Sequence, residues 1–157
     1  MRSEAFGVVR AVAQRVSSAE VRVDAERVSA MGEGLLAFVG VGHDDSARQA
    51  DELARRLVSL RIFNDDAGRM NHSLLDIGGT LGVVSQFTLF GDARQGRRPF
   101  FGDAAPAEQA APLIERLIAA AEGLGARTVS GRFQATMEVG LVNVGPVTLL
   151  LDTDKRF

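Results

Sequence analysis

Apolar residues alternate in some stretches of this chain, run together in others, and recur at helical spacing in two more. Val8 to Val16 alternates, with Val8, Arg10, Val12, Gln14 and Val16 on one parity, and predicts a first strand. Ala19 to Asp24 and Arg27 to Met31 also alternate, and predict a hairpin turning near Asp24–Glu26. Leu35 to Val41 is continuously apolar, which predicts a strand covered on both faces. Ala50, Leu53, Ala54, Leu57 and Leu60 mark one face of a helix, and Ser46 with Gln49 has capping-box spacing ahead of it. Asp51–Arg55 and Glu52–Arg56 have i,i+4 spacing on the opposite face. Asn64 to Arg69 reads as a turn.

Leu81 to Phe90 predicts a central, uncharged strand. Its period places Gln86 and Thr88 together on one side of an otherwise apolar element. Buried polar groups need partners, so the pair belongs either to a structural network or to a site. A second helix is predicted within 106–122, buried through Leu113, Leu117 and Ala120 with Ile114, Ile118 and Ala121. Pro106 suits its first position, whereas Pro112 predicts a kink or a later helix start. Ala126–Gly131, Met137–Asn143 and Val147–Leu151 read as strands. About seven or eight strands and two main helices make an α+β domain with a largely antiparallel sheet. Two helices cover one side of it, so the other side needs barrel-like curling or a second subunit.

Composition narrows the chemistry. At 157 residues and 46% hydrophobic, one domain spanning 1–157 with a real core is expected. Eighteen basic against twenty acidic residues give a net charge of -2, which argues against extensive nucleic-acid wrapping but leaves room for a local contact. Cysteine is absent, which removes disulfides, thiolate nucleophiles and cysteine-ligated metals. His43 and His72 lack a second histidine at ligand spacing, so no metal is expected. No apolar run reaches bilayer length, and Met1 to Gly7 lacks a signal-peptide hydrophobic region, so a cytoplasmic protein is expected.

Several candidate sites remain. Arg94, Arg97 and Arg98 cluster before Pro99-Phe100-Phe101, which makes this stretch either a plain surface loop or a phosphate contact. A Ser85–His72–Asp76 triad can be written down, but sequence supplies no geometry for it. Pro146 lies between two strand-like runs and belongs at an edge, bulge or bend. Gly145 before it relaxes the steric limit on a pre-proline residue, and X–Pro bonds are the common route to a cis peptide.

These residues carry a resemblance. Gln14-Arg15-Val16, Arg61-Ile62-Phe63, Gly68-Arg69-Met70-Asn71, Ser85-Gln86-Phe87-Thr88-Leu89, Gly96-Arg97-Arg98-Pro99, Gly131-Arg132-Phe133, Leu141-Val142-Asn143 and Gly145-Pro146-Val147-Thr148 stand in the order found in D-aminoacyl-tRNA deacylases. The chain resembles that family from about Val9 to Leu151. The resemblance implies a D-tyrosyl-tRNA deacylase-like fold and a homodimer with active sites at the interface. It implies hydrolysis of the D-aminoacyl ester at the tRNA acceptor end, removal of glycine mischarged on alanine tRNA, and neither cofactor, DNA nor membrane.

By the same resemblance Ser85 and Gln86 hold the pocket, Thr88 positions substrate, and the Phe87 backbone N–H polarises the ester carbonyl. Met137 packs beside the pocket. Gly145-Pro146 is cis, enters the partner's pocket and excludes L side chains, and Arg15 holds it. Arg97 and Arg98 contact tRNA phosphate. The terminal ribose 2′-hydroxyl and backbone groups, rather than an acidic or basic side chain, position and activate water. Val144 stands where the family usually has aspartate, and Phe100 where a small serine is common. The Met1 to Gly7 and Asp152 to Phe157 segments are extensions. Two other classes stay open: a noncatalytic RNA-binding protein on this fold, and a serine hydrolase acting through the Ser85 side chain.

Overall fold

The computed structural model describes residues 9–155; Val8, the Met1 to Gly7 segment, Arg156 and Phe157 lie outside them. The first strand, β1 (Val9–Val23), pairs with three other strands. It is one strand of 15 residues where the alternation predicts two. The break at Ser17–Ser18 is a register shift rather than a turn: Val9, Ala11 and Ala13 point inward, then Val16, then Ala19, Val21 and Val23. Bulges switch the buried parity without ending the strand. Asp24 and Ala25 take positive φ in the tight turn to β2, Glu26–Met31, as the predicted hairpin requires.

Next comes β3, Gly34–Val41, which pairs with the first half of β1. Its apolar run is covered twice. Leu35, Ala37, Val39 and Val41 join the main core under the helices, while Leu36 joins a smaller core with Val16, Ala19, Val21 and Val84. The first helix, α1 (Ala47–Ser59), starts at the predicted Ser46–Gln49 capping box. Val58, not the cap residue Leu60, completes its buried face. Asp51 grips Arg116 of the second long helix at 2.7 and 2.8 Å instead of Arg55, and Arg56 donates to the Asp152 carbonyl instead of pairing with Glu52. Cross-element partners with fixed geometry thus replace the local helical pairs.

Two short strands, β4 (Phe63–Asn64) and β5 (Met70–His72), flank the predicted turn. A four-residue helix, α2 (Leu74–Ile77), follows with its own Ser73–Asp76 capping box. Then β6, Thr80–Ser85, runs parallel to β3. The second long helix, α3, spans Ala107–Gly123 and runs through Pro112, so it does not begin there. Pro106 is its N-cap, and Pro112 lies on the exposed side, where water can reach the carbonyl that lost its donor. It leads to β7, Arg127–Ser130, parallel to β6.

The last strand, β8 (Glu138–Asp152), is again single where two are expected, and it pairs with β1 along both halves. The sheet is therefore antiparallel around β1 and parallel where α1 and α3 make the crossovers, so it is mixed. It curls until β2 meets β7, giving the expected barrel-like shape with two main helices on one side. Among the described residues no helix is long and apolar enough to cross a membrane.

Candidate active site

The strand predicted over 81–90 stops at Ser85. Phe87–Phe90 is a 3₁₀ turn instead. The last strand-like bond is Gln86 N–H to the Val39 carbonyl at 2.8 Å, after which the chain folds over Gly40. A Cβ at position 40 would stand 2.9 Å from the Gln86 carbonyl oxygen and 3.1 Å from the Phe90 ring. Only glycine lets the turn close this near β3. Arg10 completes the anchor, its guanidinium lying 4.6 Å from the Phe90 ring centroid and donating to the Leu89 carbonyl.

The turn brings Gln86 and Thr88 together, with Gln86 Nε2 donating to Thr88 Oγ1 at 2.9 Å. Phe87 and Thr88 occupy the start of the turn, where the geometry provides no partner within the turn for their N–H groups. Ser85, Gln86, Phe87 and Thr88 form one wall of a cavity of about 750 Å³. Phe38, Val84 and Val139 supply its apolar surface, with Ala105 and Ala110 on the side of α3. The opposite wall is Phe133 to Met137. Met137 is thus beside the pocket, as expected. Phe133, Gln134 and Thr136 were not singled out by residue pattern, although Gly131-Arg132-Phe133 belongs to the resemblance.

The lining is polar at Ser85, Gln86, Thr88, Gln134 and Thr136, and among the described residues no ionisable side chain lines it. His72 and Asp76 are absent from the wall that carries Ser85; their side chains approach each other at 4.0 Å beside the α2 cap. The Ser85–His72–Asp76 arrangement is therefore not assembled. Hydrogen bonds from Ser73 hold the Asp76 carboxyl below the usual carboxylate range, which suits a cap. Among the described residues no group of three or more His, Asp or Glu side chains is placed to hold a metal ion.

The second signature forms a separate feature. Gln14 pairs with Thr148 and Val16 with Asn143, so Val144, Gly145, Pro146 and Val147 protrude opposite the single residue Arg15. The Asn143 side chain closes the neck, accepting from Val147 N–H at 2.8 Å and donating to Thr148 Oγ1 at 3.0 Å. Arg15 Nε donates to the Val144 carbonyl at 2.9 Å, and its Nη1 donates to the Ile62 carbonyl at 2.8 Å. Arg15 therefore does brace the protrusion. The Gly145–Pro146 bond is cis, as expected. Val144, Gly145 and Pro146 are exposed, and neither they nor Arg15 line the chain's own pocket.

A family model described as D-Tyr-tRNA(Tyr) deacylase matches residues 12–152, which takes in both signatures. The chain belongs to this family. D-aminoacyl-tRNA deacylase of Roseiflexus castenholzii is 55% identical over 145 residues, covering 92% of this chain and 92% of that one. D-aminoacyl-tRNA deacylase of Thermotoga petrophila is 50% identical over 149 residues, 95% of this chain and all of that one. Among solved structures, the c-Myc DNA unwinding element binding protein superposes with a TM-score of 0.85 at 34% identity, covering 90% of this chain and 97% of that one. A probable eukaryotic D-amino acid tRNA deacylase superposes at 0.79 with 17% identity, covering 92% of this chain and 99% of that one, which speaks for the fold.

The loop between the turn and α3 accounts for the remaining candidates. Asp92 and Phe100 exchange both backbone bonds, at 2.7 and 2.8 Å, and the Asp92 carboxylate grips the Arg94 guanidinium at 2.7 and 2.9 Å. Arg94 is thereby removed from the arginine cluster as a ready phosphate ligand. Arg97 and Arg98 stay exposed at the tip.

Proposed function

We propose that this protein hydrolyses the ester of D-aminoacyl-tRNA, releasing the D-amino acid and tRNA. The observation that carries the reading is a pocket walled by Ser85-Gln86-Phe87-Thr88, polar yet without an ionisable side chain among the described residues, in a chain of the deacylase family. Such a pocket suits chemistry driven by positioning and backbone donors rather than by a general base. Water adds to the ester carbonyl, the Phe87 N–H stabilises the oxyanion, and the ribose oxygen leaves with a proton. Gln86 and Thr88, tied to each other, orient the terminal adenosine and its ester.

The reading extends to a homodimer. The protrusion, exposed at Val144, Gly145 and Pro146, stands apart from its own pocket, and Val142, Val144 and Leu150 leave an apolar outer face on a strand of 15 residues. Long exposed apolar edges call for a partner. A second copy that inserts Gly145-Pro146 into this pocket brings the signatures together. Backbone there excludes an L side chain, leaves a D side chain pointing out, and accepts glycine, so glycyl esters on alanine tRNA are also removed. Rejection by steric conflict needs no side-chain readout.

The test is release of D-tyrosine from D-tyrosyl-tRNA by wild type and Ser85→Ala, with a serine-directed covalent reagent alongside. Turnover by both proteins without labelling is expected. Loss of turnover in Ser85→Ala together with labelling of Ser85 in wild type sinks the reading in favour of a serine hydrolase.

A further inference from the structure

Phe100 is 60% exposed, the most exposed of the large apolar side chains among the described residues. An aromatic ring in water needs a reason, and its surroundings supply one. The loop that carries it is rooted on the pocket wall: Phe87, a lining residue, meets Phe101 edge-on with ring centroids 5.3 Å apart. The Asp92–Phe100 backbone pair fixes the base of the loop. The tip of the Phe100 ring lies against Gly102, where an added Cβ would come within 2.1 Å of it, so only glycine admits the ring there, and the residue stays exposed. Arg97 and Arg98 are exposed three and two residues away in sequence, and neither holds a side-chain hydrogen bond or ion pair among the described residues. An exposed aromatic ring beside exposed guanidinium groups is what single-stranded nucleic acid uses: bases stack on the ring while arginines meet the phosphates.

We infer that Phe100, with Arg97 and Arg98, forms a stacking and phosphate contact for the unpaired cytidines that precede the terminal adenosine of the tRNA. This rests on the proposed function, which places the terminal adenosine in the pocket. The preceding nucleotides then leave across the mouth, where this loop is rooted. Phe100 is a positioning residue: it holds the RNA and touches no reacting atom.

The probe is an acceptor-stem RNA hairpin ending in CCA, with D-tyrosine joined to the terminal ribose by a non-hydrolysable amide. One unpaired cytidine is replaced by pyrrolocytosine. Binding is thus read without turnover, and wild-type turnover of D-tyrosyl-tRNA, measured separately, decides the parent reading. With Phe100→Ser, affinity falls by about 5- to 30-fold and the fluorescence change of pyrrolocytosine is lost. Phe100→Tyr restores both, and Phe100→Leu does not. The double variant Arg97→Gln, Arg98→Gln weakens binding and flattens its salt dependence while the fluorescence change persists. Binding of a D-tyrosyl-adenosine amide, which lacks the cytidines, is unchanged in Phe100→Ser. Equal weakening on both ligands makes Phe100 a wall of the pocket and overturns the inference. So does full recovery with Phe100→Leu, an unaltered hairpin affinity, or a Phe100→Ser dimer that falls apart, which would assign the ring to a subunit interface.

Discussion

Thr88 shows what a single residue contributes here. Its hydroxyl accepts from Gln86 Nε2 at 2.9 Å in an exposed turn, so its loss removes a positioning bond without opening the core. Thr88→Val is expected to lower kcat/KM on D-tyrosyl-tRNA by about tenfold, the value of one neutral hydrogen bond, with the urea midpoint unchanged. A fall in midpoint matching the fall in activity would make Thr88 structural. Gly145 presents the opposite case. Its φ is +133°, and an added Cβ would meet Val147 Cγ2 at 2.8 Å and the Arg15 guanidinium at 3.0 Å. Gly145→Ala is expected to cost about 1–3 kcal/mol of stability and to narrow the gap between D and L substrates. An unchanged gap in a protein that still folds would remove Gly145 from the filter. These residues were legible in the sequence as motifs and as polar groups in apolar segments. Their geometry was not: Gln86 and Thr88 meet because the chain turns, not because a strand puts them on one face.

The elements show why. Strand propensity at Phe87, Thr88 and Leu89 is overridden by tertiary space, since the next β3 carbonyl, that of Val41, accepts from Ala105 N–H at 2.8 Å and Gly40 admits the turn. The same balance hid the continuity of β1 and β8, because bulges look like strand ends when only alternation is read. By contrast α1, its capping box, the first hairpin and the doubly covered β3 were legible, since propensity and burial agree there. Gln134 and Thr136 became visible as lining residues only with the fold, because no periodicity marks that loop.

The turn from β3 to α1 carries a pH signature. Asp45 is buried and accepts from Gly42 N–H at 2.5 Å. Burial, reinforced by the nearby Asp154 and Asp44 carboxylates and opposed by the Gly42 bond, pushes its pKa from the ordinary 3.8 to about 7. The folded state then holds a proton that the unfolded state has lost, so this group's contribution to stability falls as pH rises from about 4 to about 7 and is flat above. Asp45→Asn is expected to gain about 1 kcal/mol over wild type at pH 8 and little at pH 4, a gain smaller than the full shift because water screens part of the charge. Urea unfolding at both pH values checks this; an equal difference at the two would show that Asp45 does not titrate in that window.

At the scale of the whole molecule, one chain displays a pocket and, elsewhere, a protruding Gly145-Pro146 that the pocket lacks. Sequence exposes both signatures but not their separation, which depends on β8 pairing with the outer edge of β1. The proposed account joins them across two copies, so activity and dimer should disappear together on dilution. Its central claim is chirality, and one comparison tests it most directly: hydrolysis of D-tyrosyl-tRNA beside L-tyrosyl-tRNA by the same protein, freed of contaminating hydrolases. The account predicts that the D ester is lost faster by about 100-fold or more, a difference of about 3 kcal/mol in barrier. Equal rates on the two esters would contradict it.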